Sequence, residues 1–511
     1  MIAAADFPRT AGMSLLDRLA QLGVPLIDLT ADSRAVKLGS IFVAYPGTAQ
    51  DGRAFIPEAI ARGAAAVIWE RRGFEWEERW EIPNLGVEGL RGRISEIAGH
   101  IYGNPSEQLL MIGVTGTNGK TSVSQWIAAA CESLGRRAAV IGTLGNGLVG
   151  ERVEARNTTP DAIVLQRLLA DYLRRGARVA AMEVSSHGLD QGRAAGIKYD
   201  VGVFTNLTRD HLDFHKDFED YFAAKKILFE GSGTEPPPFA VINADHEYGQ
   251  KLASYAKSRS QVFTYGIDAG EFRPLQLEVT GKGSRFDVDT AAGKLAIWTP
   301  LIGRVNVYNA LAAIATGVAR GFSGQQIVDG VGALDHVPGR FQRIDEGQPF
   351  SVVVDYAHTD DALRNLTQVA RDFVTRDGKA GRVITLFGCG GDRDKKKRPL
   401  MGEAAGKGSD FVVLTSDNPR SEDPMAIIHD ALPGLQATGT VHTIEPDRRL
   451  AITLALAQAK PSDIVLIAGK GHEDYQITRA GMQPFADAQV AREALQTLGY
   501  GASHPRPVSA K

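Results

Sequence analysis

The sequence predicts an α/β protein built on largely parallel sheets and divided into three domains, and three observations carry that reading. An apolar run at 109–114 passes through a glycine-rich turn into a helix-like stretch at 121–134. Between 105 and 337, further apolar runs alternate with amphipathic helical patterns, the order expected of a parallel sheet covered on both faces. Beyond 338, four more strand-like runs each end in a polar, chemically dense loop. At 511 residues the chain is longer than one hydrophobic core usually serves.

In the first domain, 1–104, residues 40–45 and 64–69 read as short strands around a helix at 55–62, and Asn104-Pro105-Ser106 ends the segment. The second domain, 105–337, has strand-like runs at 109–114, 178–184, 200–206 and 239–243. Its helical patterns lie at 121–134, 161–174 and 309–320, with a shorter one near Gln325, and Pro236-Pro237-Pro238 reads as a rigid surface turn. Pro338-Gly339-Arg340 opens the third domain, 338–511, with strands expected at 351–355, 383–387, 411–415 and 464–468. Ligands of doubly wound sheets bind beyond the carboxyl ends of the strands, so the loops after these four are candidates for the site.

Composition is that of an ordinary globular protein, 43% apolar and 23% charged. A net charge of -3 provides no field for a nucleic-acid backbone. The cationic run Lys395-Lys396-Lys397-Arg398, diluted by Asp392 and Asp394, reads as a solvated loop. Two cysteines, Cys131 and Cys389, argue against a disulfide framework or a thiolate metal site and fit a reducing compartment. The N-terminal run, broken by Asp6 and Arg9, lacks the pattern of a secretory leader, and no uncharged apolar stretch reaches membrane-spanning length. A cytoplasmic monomer with no nucleic-acid or membrane partner is expected.

The densest chemistry lies in Gly113-Val114-Thr115-Gly116-Thr117-Asn118-Gly119-Lys120-Thr121-Ser122. Backbone N–H groups of such a turn and the N-terminus of the following helix converge on an anion. Lys120 would add a point charge for the β- and γ-phosphates of ATP, and the Thr121 hydroxyl could hold Mg²⁺. The general pattern G-x-x-x-x-G-K-[ST] is not met, because Val114 stands five residues before Gly119. The alternative is a glycine-rich turn without a ligand. Glu183, in Met182-Glu183-Val184-Ser185-Ser186-His187, follows a strand and could reach the same Mg²⁺, or serve only as a cap or ion-pair partner.

The stretch 206–215 holds His211, His215, Asp210 and Asp213 just after a strand. It lacks the helical H-E-x-x-H spacing of a zinc protease and suits a phosphate-linked Mg²⁺ site with one imidazole ligand. For His215 a hydrogen-bonded loop histidine is equally open. Lys225 and Lys226 follow on a helix, where lysines are ordinarily solvated. In the last domain Asp355-Tyr356-Ala357-His358, Gly388-Cys389-Gly390-Gly391-Asp392-Arg393-Asp394, Ser416-Asp417-Asn418-Pro419-Arg420 and Gly469-Lys470-Gly471-His472-Glu473 cluster in loops. Arg393 and Arg420 could clamp carboxylates and Glu473 could meet an ammonium, which together describe a pocket for a zwitterionic amino acid. The alternative is a surface ion-pair network.

These residues resemble the Mur ligase family across nearly the whole chain. The segment 116–121 is similar to the family's ATP loop, which accounts for Val114, and 206–215 with Ala223-Ala224-Lys225 is similar to its central signature. Asp417-Asn418-Pro419-Arg420 resembles the motif associated with meso-2,6-diaminopimelate; lysine-adding members usually differ at the Arg420 position. One departure is Asp360, where the family commonly has proline.

The resemblance implies an N-terminal UDP-binding domain, a central P-loop ATPase-type domain and a C-terminal Rossmann-like domain, and three domains meeting at one site imply closure on substrate. Gly116, Thr117, Asn118, Gly119, Lys120, Thr121 and Ser122 would bind ATP, helped by Asn309 and Arg340, with Asp355 near the ribose. Ser33 would meet the uridine end, and Asn157, Thr158, Thr159, Ser185, Gln191 and Arg193 the muramoyl-peptide. Glu183, His211 and Lys225, the last carbamylated by CO₂, would complete a magnesium site with Thr121. Arg393, Asp417, Asn418, Pro419, Arg420, Gly469 and Glu473 would hold diaminopimelate.

The implied reaction is ATP-dependent addition of diaminopimelate to UDP-N-acetylmuramoyl-L-alanyl-D-glutamate through an acyl phosphate, in peptidoglycan precursor synthesis. Lys120, Glu183, His211 and Lys225 would be catalytic, and His358 is a weak candidate for the base that deprotonates the amine. The rivals are a lysine-adding or folylpolyglutamate-type ligase, and a nucleotide-dependent regulatory protein without turnover, against which Lys120, Glu183, His211 and Lys225 weigh.

Overall fold

The computed structural model describes residues 14–501 except 48–49, 156, 281–282, 292, 335–336 and 376–380. The N-terminal run with Asp6 and Arg9 lies outside the described residues. Three α/β units follow one another along the chain, each around its own sheet. In the first, strands Leu29–Thr30, Ile41–Ala44, Ala66–Glu70 and Asn84–Val87 pair in that order, all parallel. The helix expected at 55–62 forms as a 3₁₀ turn, Gly52–Phe55, running into Ile56–Ala61, with Pro57 in the first turn where no N–H is needed.

The central sheet has eight strands, in the order Gln261–Tyr265, Phe239–Asn243, Val201–Phe204, Leu110–Thr115, Val179–Glu183, Ala138–Gly142, Gly145–Leu148 and Glu151–Val153. The first six are parallel and the last two add an antiparallel edge. Alternation along the central strands sends Ile112, Val114, Val201 and Val203 into the core on one face, and Met111, Ala180, Met182 and Phe204 into that on the other. Burial on both faces is why these strands read as unbroken apolar runs. Residues 161–174 form the expected helix, Ala162–Arg174, with the Asp161 side chain accepting from the Val164 N–H as its cap.

An antiparallel sheet of Leu275–Thr280, Gly283–Thr290 and Gly293–Thr299 was not anticipated. No residue of Leu275–Thr280 is buried, and along the other two strands buried positions are interspersed with exposed ones such as Arg285 and Lys294, so only a short apolar run at 295–298 marks the sheet. The helix expected at 309–320 starts earlier, as Arg304–Ala319, behind Gly303 at φ 94°. In the third unit the order is Gln342–Ile344, Ser351–Asp355, Ile464–Ala468, Val383–Cys389, Phe411–Ser416 and His442–Ile444. All neighbours are parallel except the first pair, and the four expected strands form its centre.

The cationic run at 395–398 requires a correction. Lys395 and Lys396 are exposed, but the helix Lys397–Gly408 begins within the run, and both Lys397 and Arg398 are buried. Arg398, 1% exposed, donates to Glu422 Oε1 at 2.7 Å and Asp430 Oδ2 at 2.8 Å. Carboxylates from other parts of the sequence, the buried Asp210 for Lys397 and the more exposed Glu422 and Asp430 for Arg398, draw half of an apparently solvated run inward. No helix among the described residues is long and apolar enough to cross a membrane.

Candidate active site

Strand register positions the site. Val114 lies opposite Glu183 and Thr115 opposite Phe204, so the phosphate loop, Glu183 and the 205–215 loop emerge side by side at the carboxyl edge of the central sheet. The loop turns through Gly116 at φ 146° and Gly119 at φ 88° before the helix Lys120–Ser133. A Cβ at Gly116 would overlap the Thr205 hydroxyl, and one at Gly119 would lie 2.7 Å from Asn309 Oδ1. Only glycine fits either position. Asn309 therefore lies beside the loop.

The loop is tied down by its neighbours. The Asn118 N–H donates to Asn206 Oδ1 at 2.9 Å, Thr208 N–H donates to Thr117 Oγ1 at 3.0 Å, and Asn118 Nδ2 reaches across to Asp361 Oδ2 at 3.0 Å. Lys120 Nζ donates to the Gly116 and Thr117 carbonyls, both at 2.8 Å. Burial pulls its ammonium below the usual range, and Glu183 and Asp210 oppose that pull. Ser122 is buried on the same helix.

Glu183 is 1% exposed. One oxygen accepts from Thr121 Oγ1 at 2.9 Å and Thr143 Oγ1 at 3.0 Å, the other from the Thr143 N–H at 2.8 Å. No cationic side chain lies within ion-pair distance of it among the described residues. A buried carboxylate held only by neutral donors fits a bound cation. Thr121 Oγ1 in turn accepts from Arg340 Nη2 at 3.0 Å, and the buried Arg340 Nε has no partner. Arg340 thus reaches the phosphate loop from the third unit, while the Asp355 carboxylate accepts from the Phe341 N–H at 2.6 Å and the Ala357 N–H at 2.8 Å.

Lys225, also 1% exposed, donates to the Gly116 carbonyl at 2.9 Å and lies over the Tyr221 ring. Burial, then the nearby Lys120, holds its amine well below the ordinary lysine range. His211 adopts φ 55°, with Nε2 3.4 Å from Asp210 Oδ2. Burial drives it down to about 3 against the attraction of Asp210, which keeps it a neutral imidazole. The described residues contain no group of three His, Cys, Asp or Glu poised for a metal. The expected set relies instead on the Thr121 hydroxyl and on a lysine made acidic by modification. His215 Nδ1 is 3.3 Å from Asp220 Oδ2 and its ring stacks on Tyr221, while its buried Nε2 has no partner among the described residues.

A cavity of about 930 Å³ joins this edge to the third unit. Asn157, Thr158, Thr159, Ser185, Arg193 and His211 line one part of it; Arg393, Asp417, Asn418, Arg420, Gly469 and Glu473 line another. Thr159 Oγ1 bonds the Glu183 carbonyl at 3.0 Å, and Ser185 N–H donates back to Thr159 at 3.0 Å. Gln191 accepts from Arg193 at 2.6 Å, which orients that guanidinium. Ser33 lies apart from this cavity, in the first unit, donating to Glu58 Oε2 at 2.8 Å. Pro419 is absent from the lining and holds the turn between Asn418 and Arg420.

Neither Arg393 nor Arg420 lies within ion-pair distance of a carboxylate among the described residues. Arg420, at φ 53°, donates to the Gly391 carbonyl at 2.8 Å, and burial followed by the proximity of Arg393 pulls its guanidinium down. Two unpaired guanidiniums facing one cavity form a receptor for a carboxylate.

Asp210, Lys397 and His187 also belong to this constellation, although none of them is among the residues expected to bind or react. Asp210 has Lys397 Nζ at 3.5 Å and His358 Nε2 at 3.6 Å. Burial raises its carboxyl, but His211, Lys397 and His358 outweigh burial and leave it well below the usual range. His358 donates Nδ1–H to the Tyr356 carbonyl at 2.9 Å, leaving Nε2 facing Asp210. The ring of His187 lies edge-on to His211 at 4.7 Å. Asp210 directly precedes the expected ligand His211 and His187 lies two residues after Ser185, whereas Lys397 stands in a run that reads as solvated.

Three family models match in succession: "Mur ligase family, catalytic domain" over 28–102, "Mur ligase middle domain" over 114–317, and "Mur ligase, glutamate ligase domain" over 339–471. The chain is 49% identical over 488 residues to the UDP-N-acetylmuramoyl-L-alanyl-D-glutamate--2,6-diaminopimelate ligase of Solibacter usitatus, covering 95% of this chain and 96% of the relative. It is 47% identical to the protein of that name from Chromobacterium violaceum, covering 94% and 96%. A solved structure of a ligase of that name is 37% identical, with a TM-score of 0.64 over 93% of this chain and 95% of the other.

Proposed function

The chain belongs to the Mur ligase family, and we propose that it is the member that joins meso-2,6-diaminopimelate to UDP-N-acetylmuramoyl-L-alanyl-D-glutamate at the expense of ATP, in cytoplasmic peptidoglycan precursor synthesis. The observation that carries this reading is the single cavity with His211 and the muramoyl-peptide candidates on one side and the unpaired Arg393 and Arg420 on the other. Three domains, 1–104, 105–337 and 338–511, are inferred from the three mainly parallel sheets, and the protein acts as a monomer.

A carboxylate is a poor electrophile. An oxygen of the D-glutamyl carboxylate attacks the γ-phosphorus of ATP, ADP departs, and the acyl phosphate forms. The neutral amine of diaminopimelate then attacks the acyl carbon; inorganic phosphate leaves and the nitrogen loses its proton. Lys120 exchanges the loop carbonyls it now holds for phosphate oxygens, and the loop N–H groups receive the rest. Arg340 holds Thr121 and offers its free Nε to the nucleotide. Asn309 and Asp355 bracket the nucleotide, and Ser33 contacts the uridine end.

The buried, uncompensated Glu183 fits Mg²⁺, which Thr121, Glu183, His211 and carbamylated Lys225 would hold and which supplies charge neutralisation between the reacting oxygens. The depressed amine of Lys225 supports carbamylation, because only a neutral amine adds to CO₂. At the far side of the cavity, Arg393 and Arg420 receive the distal carboxylate of diaminopimelate. Asp417, Asn418, Gly469 and Glu473 receive its ammonium.

Phosphate release by the purified enzyme, with ATP, UDP-muramoyl-dipeptide and a panel of amino acids, tests the reading. Release with meso-diaminopimelate and much less with L-lysine is expected. Equal or faster release with L-lysine, or none with any amine, would overturn it.

A further inference from the structure

Lys470 is 0% exposed, does not line the cavity, and sits behind it. Its Nζ donates to Asn418 Oδ1 at 3.2 Å and to Glu473 Oε2 at 3.0 Å, with the Tyr475 ring centroid at 5.5 Å. Glycines on both sides drive it inward. Gly469 has φ 117°, where a Cβ would fall 2.5 Å from Asp417 Oδ2, and Gly471 has φ 53°, where one would meet the Gly339 carbonyl at 2.7 Å. Asn418 is held in turn by donating Nδ2 to Glu473 Oε2 at 2.8 Å and accepting from the Ile477 N–H at 3.0 Å. One buried ammonium therefore ties the 416–420 loop to the 469–473 loop.

We propose that Lys470 is a positioning residue that sets the amino-acid specificity of the cavity, by neutralising Glu473 from behind and fixing it against Asn418. The proposal rests on the ligase reading above. A buried Lys–Glu pair presents to the cavity a carboxylate whose charge is already balanced. With Glu473 so balanced, the guanidiniums of Arg393 and Arg420, neither within ion-pair distance of a carboxylate among the described residues, are left to meet an incoming carboxylate. That balance favours an amino acid whose distal end carries a carboxylate beside its ammonium. It disfavours one, such as L-lysine, whose distal end is an ammonium alone.

The test compares kcat and KM for meso-diaminopimelate and L-lysine in wild type, Lys470→Met and Lys470→Gln, with KM for ATP and for UDP-muramoyl-dipeptide as controls. Both substitutions remove the charge; glutamine retains a donor. In both variants KM for diaminopimelate rises and that for lysine falls, so the diaminopimelate/lysine ratio of kcat/KM drops on the order of tenfold or more. The control KM values hold. Damage to packing alone would raise both amino-acid KM values together and leave the ratio intact, and that result in either variant would overturn the proposal. If wild type itself does not use diaminopimelate, the ligase reading fails; an unchanged ratio in variants of an active wild type sinks this inference alone.

Discussion

Lys120 and Lys225 converge on one acceptor: both ammonium nitrogens donate to the carbonyl oxygen of Gly116, at 2.8 and 2.9 Å. Two cations on one oxygen in a buried site repel, and Lys225, the more deeply buried, is the one held well below its normal range. Carbamylation would replace that repulsion with attraction. We expect activity to fall in CO₂-depleted buffer and to return with bicarbonate. Lys225→Gln should lose roughly a hundredfold or more in kcat and show no bicarbonate response. A bicarbonate-insensitive wild type would remove the carbamate from the mechanism.

Arg340 bridges the third unit to the phosphate loop through Thr121. Arg340→Ala should raise KM for ATP and lower kcat, with a combined loss of roughly 10²-fold in kcat/KM for ATP, while KM for diaminopimelate changes little. Steady-state kinetics with each substrate varied in turn provide the check.

Arg420 faces the cavity without an ion-pair partner. Its truncation to alanine should cut the diaminopimelate/lysine ratio of kcat/KM by about two orders of magnitude, because the substrate's distal carboxylate would be left buried and unmatched. An unchanged ratio would remove Arg420 from specificity.

His472 is pushed down from 6.5 to about 4, by burial first and then by Arg340. The unfolded chain therefore binds more protons than the folded one between those values, so this group's contribution to stability falls as pH drops from 6.5 towards 4. His472→Gln should flatten that part of the stability curve, by on the order of 1–2 kcal/mol across the window. Urea unfolding at several pH values measures it; identical slopes for the two proteins would refute the assignment.

Arg448 and Asp487 form an ion pair with both side chains 0% exposed, and Arg448 also donates to the Ser416 and Ala468 carbonyls at 3.2 and 3.0 Å, beneath the 416–420 and 469–473 loops. Arg448→Met strands a buried carboxylate and should cost about 3–5 kcal/mol. Adding Asp487→Leu should recover part of that loss. Thermal melts of the single and double variants would show whether it does.

The legible parts of the molecule were those in which local chemistry and global fold agree. Strands buried on both faces at 110–115 and 464–468 declare themselves as apolar runs, and the phosphate loop as glycines around Lys120. The sheet within 275–299 was illegible, because exposed positions interrupt its strands and leave only a short apolar run at 295–298. Lys397 and Arg398 looked like solvated charge, because their partners Asp210, Glu422 and Asp430 lie far away in sequence.

Local periodicity and glycine's freedom at positive φ were enough to read the α/β class, the phosphate loop and the residue types that point to an amino-acid ligase. Tertiary structure alone decided which charges are compensated. Glu183 and Arg420 have no ion-pair partner among the described residues, whereas Arg398, Arg448 and Lys470 are paired and buried. The physical reason is that the energy of a charge depends on the solvent it loses and the partners it gains, and both are set by parts of the chain tens or hundreds of residues away.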